Sequence, residues 1–146
     1  MTEEGPMFHN LDRAEAEALL RRHHVGRIAF AWRDRVDIQP ISYVYEGGMV
    51  HGRTSFGTKL GMLAHVPWVA FETDDVKGPL DWQSVVVHGT FFVVDPDTMR
   101  REYDHTLELL RGLVPQAMTG DDPTPERNVL FRIDVQEMSG RAATRR

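Results

Sequence analysis

Arg53 and Lys59 flank a turn rich in glycine and hydroxyl side chains, within residues 49–66, MVHGRTSFGTKLGMLAHV. Alternation along residues 49–54 places His51 and Arg53 on one face of a short predicted strand, with Arg53 near its end. Lys59 opens a brief predicted helix whose apolar residues recur at helical spacing. The turn offers hydroxyl groups and unhindered backbone amides from Thr54, Ser55, Gly57 and Thr58. A helix N-terminus beside two cations favours a phosphate, and we therefore expect an anion-binding corner here.

A plainer interpretation of the same turn needs no ligand. Its hydroxyl groups would cap the helix, and the arginine and the lysine would be solvated surface charges. The turn alone does not separate the two interpretations, so the neighbouring elements must decide between them.

The rest of the chain is predicted to consist mainly of strands joined by short turns. The predicted strands cover residues 25–32, 36–45, 49–54, 68–73, 82–94 and 128–135. The predicted helices cover residues 11–23, 59–65 and 95–113, and the first has Asn10 or Asp12 as its cap. Residues 1–9, 74–81 and 118–127 are predicted loops, and the basic C-terminal tail is expected to fray. Short connections favour a mainly β fold, an antiparallel barrel or sandwich, over a parallel sheet.

Three residues within the predicted strands carry further information. Pro40 cannot donate to a strand ladder, so it marks an edge, a bulge or a strand left open to a ligand. Gly89 indicates a bend or the close approach of another backbone. His88 beside it is expected to be an interior histidine with its hydrogen bonds satisfied.

The composition limits the function. The 146 residues are expected to form one domain, 1–146. The chain has 17 Lys and Arg against 22 Asp and Glu, and the resulting formal charge of −5 argues against a nucleic-acid partner. The absence of cysteine excludes disulfides, thiolate metal sites and a cysteine nucleophile. His23 and His24 have no third ligand nearby, so no metal is expected. No apolar run reaches membrane-spanning length and the first ten residues are polar, so we expect a soluble cytoplasmic protein without membrane contact.

Four stretches, by their order and spacing, resemble the FMN-binding split-barrel proteins of the pyridoxamine 5′-phosphate oxidase-like family, particularly its small flavin-reductase and nitroimidazole-resistance-like members. They are residues 40–44 (PISYV), 53–63 (RTSFGTKLGML), 67–71 (PWVAF) and 82–90 (WQSVVVHGT). The closing FRIDVQEMSGRA, residues 131–142, is also similar to the end of these chains. The resemblance covers about residues 10–142. It implies a six-stranded antiparallel split β-barrel with about three flanking helices, forming a homodimer with two cofactor sites at its interface.

The resemblance also implies a place for each part of the FMN. The phosphate would lie on Arg53, Thr58 and Lys59, with Ser55 as a further candidate. The flavin ring would lie along one strand, whose backbone groups contact its polar edge: Pro40, Ile41, Ser42, Tyr43 and Val44. Gln83 and Ser84, at the start of the long strand, would contact a flavin held mainly by the other subunit.

The leading hypothesis is therefore an FMN-dependent oxidoreductase that passes hydride or electrons from a reduced nicotinamide to a small planar acceptor. The protein would supply position and electrostatics, so no catalytic acid, base or nucleophile is expected, and no G-x-S-x-G nucleophile elbow is present. Oxidation of pyridoxamine 5′-phosphate itself is not expected, because the chain ends in GRAATRR where the true oxidase carries a further arginine-bearing segment.

Three alternatives stay open. A deazaflavin would suit the same phosphate corner, in a deazaflavin-dependent reductase. A haem with His51, His65 or His88 as an axial ligand is the weaker cofactor alternative. From another class of function, the protein could store, sense or shield such a cofactor without turnover.

Overall fold

The computed structural model describes residues 7–55 and 57–144, apart from the side chains of residues 58 and 59. The strands within these residues are β1 (Met7–Leu11), β2 (Val25–Trp32), β3 (Arg35–Ser42), β4 (Val44–Glu46), β5 (Met49–Thr54), β6 (Trp68–Gly78), β7 (Asp81–Val93) and β8 (Val129–Thr144). The helices are α1 (Arg13–Arg22), α2 (Thr58–His65) and α3 (Arg100–Arg111).

The described strands pair antiparallel in the order β3-β2-β6-β7-β8-β5-β4, and β1 also pairs with β8. A single residue, Tyr43, separates β3 from β4. β3 pairs with β2 at one end of this order, whereas β4 pairs with β5 at the other end. One continuous segment therefore belongs to both ends of the order and brings them together, while β3 itself pairs only with β2. The predicted mainly β split barrel with three flanking helices is confirmed.

The described residues form eight strands, two more than predicted. β1 pairs along its whole length with the end of β8, from Met7 opposite Thr144 to Leu11 opposite Gly140. The expected loose lead-in and fraying tail are therefore wrong for residues 7–9 and 136–144. These two segments complete each other's ladder, and Ala142 and Ala143 of β8 are fully buried. The second additional strand, β4, arises because the predicted strand over residues 36–45 is interrupted at Tyr43.

β6 and β7 form a long hairpin that positions much of the barrel wall. Only residues 79 and 80 separate the two strands, so the expected loop over residues 74–81 is wrong. A register shift between His88 and Gly89 confirms the predicted irregularity, since a Cβ on Gly89 would overlap the carbonyl oxygen of Asp134. The interior position predicted for His88 is wrong: its side chain is 42% exposed and stacks on the ring of Trp68.

The three helices flank the barrel. Asp12 caps α1, accepting from the amide of Glu15, while the Glu15 carboxylate accepts from the amide of Asp12. α1 buries Leu19 and Leu20 against the barrel core. α3 begins at Arg100, later than predicted, because the Asp95 carboxylate accepts from the amides that follow it and forms a turn instead. The apolar face of α3 packs Tyr103 and Leu107, together with Met99 just before the helix, around Leu110.

Within the described residues, none of the helices combines the length and the apolar character that crossing a membrane would require.

Candidate functional site

β5 and α2 form the strand, turn and helix predicted around the two cations. Val50 is fully buried inside the barrel, whereas His51 and Arg53 face the other way, towards α3 and the segment after it. Gly57 occupies the N-cap position of α2 and carries no hydroxyl, so this residue cannot make the side-chain cap of the plainer interpretation.

The other residues of the predicted phosphate corner are described unequally. Ser55 lies half-buried in the turn before α2. Thr58 and Lys59 begin α2, but their side chains lie outside the described part of the structure. Their phosphate contacts therefore stay predictions.

The guanidinium of Arg53 is held by the segment that follows α3. Its two terminal nitrogens donate to the two carboxylate oxygens of Asp122 at 2.5 and 3.0 Å. One of them also donates to the Thr124 hydroxyl at 2.8 Å, and the other lies 3.5 Å from the Arg127 carbonyl oxygen. The pair is nearly buried, with side-chain exposures of 10% for Arg53 and 2% for Asp122. The guanidinium, together with amide donors from Met118 and Thr124, holds the pKa of Asp122 well below its usual range.

A cleft of about 50 Å³ opens beside this ion pair. It is lined by Ser42, Arg53, Leu110, Leu113, Val114 and Arg127. β3 and β5 do not pair with each other, yet the barrel brings Ser42 of β3 and Arg53 of β5 together here. One residue predicted to contact the flavin ring and one predicted to contact its phosphate thus share a cleft.

The strand predicted to contact the flavin ring lies at the edge of the ladder. Pro40 is exposed on β3 and lies opposite Arg27 of β2. Of the edge, the bulge and the open strand that Pro40 predicted, the structure shows the edge. Ser42 is exposed and Ile41 is buried, as alternation requires.

Tyr43 and Val44 continue this segment but have structural contacts of their own. The Tyr43 side chain is fully buried, and its hydroxyl donates to the carbonyl oxygen of Leu20 in α1 at 2.7 Å. Its backbone amide donates to the carbonyl oxygen of His24. Val44 packs half-buried beside Leu110 and the α3 cluster. The backbone amide of Tyr43 is thus already paired within the chain.

Gln83 and Ser84 lie away from the cleft in this chain. The Gln83 amide oxygen accepts from Arg22 at 2.8 Å, beside the end of α1. The Ser84 hydroxyl donates to Glu72 at 3.0 Å on the outer face of β6 and β7. The role predicted for the two residues, contact with the cofactor of another subunit, stays a prediction.

A buried polar network lies behind β5, under α3. His51 is 2% exposed; its Nδ1 lies 2.9 Å from the Thr106 hydroxyl and its Nε2 lies 3.1 Å from the Glu46 carbonyl oxygen. Arg132 donates to the same hydroxyl at 2.9 Å and to the Glu102 carbonyl oxygen. The Thr106 hydroxyl can then donate to Nδ1 of His51, and the Nε2–H group of His51 can donate to the Glu46 carbonyl oxygen. These two bonds satisfy a neutral imidazole. Burial lowers the pKa of His51, in keeping with that form. With both ring nitrogens engaged, His51 is not placed to ligate a haem.

The outer face of β3 and β2 carries exposed apolar side chains. Val36 is 76% exposed and Ile38 67% exposed. Ile38 lies opposite Ala29 of β2, which in turn lies opposite Ala70 of β6. Trp68, 46% exposed, belongs to the same face of β6 as Ala70. The part of the chain that the structure describes therefore leaves an apolar sheet face, Val36, Ile38 and Trp68, without a cover.

Asp122, Thr124 and Arg127 are the residues near the cleft that sequence reasoning missed. They fall in the segment predicted only as a polar loop. Asp122 accepts from the amide of Thr124, two residues on, and turn chemistry could have predicted that local bond. No local signal predicts that its main partner is Arg53 on a distant strand.

Comparison with known proteins gives consistent matches over nearly the full length of the chain. The family model described as pyridoxamine 5′-phosphate oxidase matches residues 12–142. An uncharacterised protein of Rhizobium meliloti (strain 1021) is 27% identical, over 91% of this chain and 93% of its own. A conserved protein of unknown function from Corynebacterium diphtheriae, of known crystal structure, is 32% identical with a TM-score of 0.69, over 94% of this chain and 98% of its own.

A FAD-binding protein from Mesorhizobium loti shares the fold, with a TM-score of 0.79 at 24% identity, over 94% of this chain and 99% of its own. Since the family model covers most of the sequence, this chain belongs to the pyridoxamine 5′-phosphate oxidase family.

Proposed function

We propose that this protein binds FMN beside the β5–α2 corner and uses it to pass hydride or electrons from a reduced nicotinamide to a small planar acceptor. The observation that carries the proposal is the shared cleft of Ser42 and Arg53, because it joins an edge strand suited to a flavin ring with a corner suited to its phosphate. Family membership supports the same cofactor class.

The residues divide by the part of the flavin that they would contact. Lys59 and Thr58 at the start of α2, with Ser55, are the proposed phosphate ligands, because cations, hydroxyls and helix amides suit a phosphate. Arg53, predicted with them, would have to exchange the Asp122 carboxylate for the phosphate, since both of its terminal nitrogens donate to that carboxylate. The edge strand from Pro40 to Val44 would hold the polar edge of the ring through its backbone. A flavin supplies the hydride chemistry itself, so this chain's residues need only bind it, orient it and keep water away.

The homodimer predicted from the resemblance is also part of the proposal. The uncovered apolar face of Val36, Ile38 and Trp68 is the surface that supports it, since exposed apolar patches commonly mark protein interfaces. Ser84 lies on the same outer side of the sheet. A second copy packed there would bring Ser84 towards the cofactor of its partner. Gln83 points to the opposite face of β7, where it accepts from Arg22, so its contact would have to come from the end of the strand.

The test is reduction of the bound cofactor under anaerobic conditions. Protein loaded with FMN and freed of excess should lose its yellow colour on addition of NADH or NADPH faster than free FMN does. Because a FAD-binding protein shares the fold, FAD is loaded in a parallel sample. Flavin that is retained but not reduced would favour a binding protein without turnover, and no retained flavin would overturn the cofactor assignment.

Two variants check the phosphate assignment. Lys59→Gln should retain much less FMN, because it removes the proposed cationic ligand. Arg101→Gln should retain as much as the wild type, because it removes an exposed arginine of α3 that has no acceptor among the described residues.

A further inference from the structure

A pocket of about 320 Å³ lies between the end of β7, the turn before α3 and the start of β8. It is larger than the cleft beside Arg53, which has about 50 Å³, and the described residues that line the two cavities do not overlap. Its volume falls in the range typical of pockets that hold small organic molecules. This β7–α3 pocket is therefore a second place where the chain can take up a ligand.

The floor of the β7–α3 pocket is aliphatic. Val94 and Leu130 are each 1% exposed, and Val129 is 5% exposed. Tyr103 packs against the cluster of Val94 and Leu130, and the Arg100 guanidinium lies over its ring, 5.3 Å from the centroid. With its ring occupied in this way, Tyr103 offers the pocket its hydroxyl group, and the apolar surface that remains suits a hydrocarbon chain.

The other side of the pocket is rich in hydrogen-bond acceptors. Three of its polar side chains have no hydrogen-bond partner among the described residues: Asp97, Tyr103 and Asn128. Each can accept a hydrogen bond, through a carboxylate, a hydroxyl or an amide oxygen. Asp95 lies on the same side and uses one carboxylate oxygen to hold the turn, accepting from the amides of Asp97 and Thr98. Asp97 thus has the carboxylate that is free for a ligand.

The pocket carries a negative charge that the chain does not neutralise there. Asp95 and Asp97 line it, whereas none of its described lining residues is a cation. Arg100, which lies over the Tyr103 ring, pairs instead with Asp104 at 3.0 Å. The described residues also contain no group of three carboxylate or histidine side chains suited to a metal ion. Charge and floor together therefore favour an organic cation.

We propose that the β7–α3 pocket binds a small aliphatic primary amine, at a site separate from the proposed flavin site. The ammonium group has three N–H donors and no acceptor, which matches the free acceptors of Asp97, Tyr103 and Asn128. The hydrocarbon chain of the amine lies on the floor of the pocket, where it is removed from water. A carboxylate ligand of the same length would be repelled by Asp95 and Asp97, and an alcohol would lack the charge that Asp97 attracts.

Hexylamine, hexan-1-ol and methylamine test the two halves of the pocket by isothermal titration calorimetry at neutral pH. Hexylamine should bind to the wild type about three- to tenfold more tightly than hexan-1-ol, because its ammonium group gains a charge-assisted bond at an exposed carboxylate. Methylamine keeps the charge but loses the chain, so it should bind at least about tenfold more weakly than hexylamine. Absence of hexylamine binding, or equal affinities for hexylamine and hexan-1-ol, would overturn the inference.

Three variants assign the ammonium site to its residues. Asp97→Asn keeps the shape and removes the charge, so it should abolish the preference for hexylamine over hexan-1-ol. Tyr103→Phe should weaken hexylamine binding about two- to tenfold, because one acceptor is lost. Asp34→Asn, at an exposed carboxylate in the turn between β2 and β3, is the matched control and should keep the full preference. An undiminished preference in Asp97→Asn would contradict the proposed site.

Saturating FMN separates the amine pocket from the proposed flavin site. Because the described lining residues of the two cavities differ, the FMN-loaded wild type should bind hexylamine as tightly as the protein without FMN. Displacement of one ligand by the other would overturn a separate amine site. Hexylamine binding that depends on Asp97, in a chain that binds no flavin, would support the amine pocket and contradict only the flavin proposal.

Discussion

Arg53 and Asp122 lie 69 residues apart in the sequence and form a nearly buried bidentate ion pair, with N–O distances of 2.5 and 3.0 Å. The pair ties the segment after α3 to the end of β5, the strand that leads into the predicted phosphate corner. It therefore affects both the stability of the fold and the geometry of the cleft.

Acid should weaken the fold through this pair. The pKa of Asp122 is lowered in the folded state, mainly by Arg53, so the pair contributes stability above the unfolded pKa of about 4 and loses it as the pH falls further. Asp122→Asn should be less stable than the wild type at neutral pH, but should lose less stability between about pH 5 and pH 2. Urea unfolding at several pH values measures this. Asp121→Asn, at the exposed neighbour, is the control and should follow the wild type. If the free energy of unfolding depended on pH in the same way for the wild type and Asp122→Asn, the lowered pKa of Asp122 would be contradicted.

The hydroxyl of Tyr43 should stabilise the junction between the barrel and α1. Tyr43→Phe removes its bond to the Leu20 carbonyl oxygen, both residues being fully buried, and should lower the free energy of unfolding by about 1–3 kcal/mol. Tyr103 is half-buried and its hydroxyl has no partner among the described residues, so Tyr103→Phe should change the free energy of unfolding little.

Tyr43 also gives the fold an alkaline limit. Burial raises the pKa of Tyr43 to about 12, above the unfolded value of about 10. The stability that the neutral hydroxyl contributes is therefore complete below pH 10 and disappears between about pH 10 and 12. The wild type should lose more stability than Tyr43→Phe over that range in denaturant titrations. Equal losses would show that the hydroxyl is not protected from ionisation.

The apolar outer face should be the dimer interface. Ile38→Asp places a charge on a side chain that is 67% exposed in one chain, so the barrel should fold normally while the mass in solution falls from two chains to one. Val93→Asp, at the exposed end of β7, is the matched control and should leave the mass unchanged. Light scattering measures both. A wild type that is monomeric with flavin bound would rule out the interface.

Glycine at position 89 should be required by the backbone contact with β8. Gly89→Ala places a Cβ against the Asp134 carbonyl oxygen and should destabilise the protein by at least ~2 kcal/mol. Gly61→Ala, on α2 with open space around it, should instead be neutral or stabilising by up to about 1 kcal/mol. Thermal unfolding of the two variants compares them, and a mild effect of Gly89→Ala would show that β7 can shift at this point.

Structural features that depend only on residues close in the sequence could be predicted from it. Alternation placed His51 and Arg53 on one face of β5, and in the structure both side chains do lie on one side, towards α3 and the segment after it. The missing N–H of Pro40 predicted an edge, a bulge or an open strand, and only the observed pairing of β3 with β2 shows that it lies at an edge.

Long-range pairing could not be predicted in the same way. β1 exists because the end of β8 completes its ladder, and neither segment shows that partner by itself. Asp122 looked like one polar residue in a loop, yet the fold buries it against Arg53. His88 has the sequence context of a core residue, and only the register of β6 and β7 shows that it faces outward.

Titration of FMN into the purified protein, followed by the loss of flavin fluorescence, measures whether the chain holds a flavin nucleotide. We expect saturation at one FMN per chain, with much weaker binding in Lys59→Gln and binding like that of the wild type in Arg101→Gln. Absence of saturable binding, or equal binding in all three proteins, would contradict a flavin phosphate site at the β5–α2 corner.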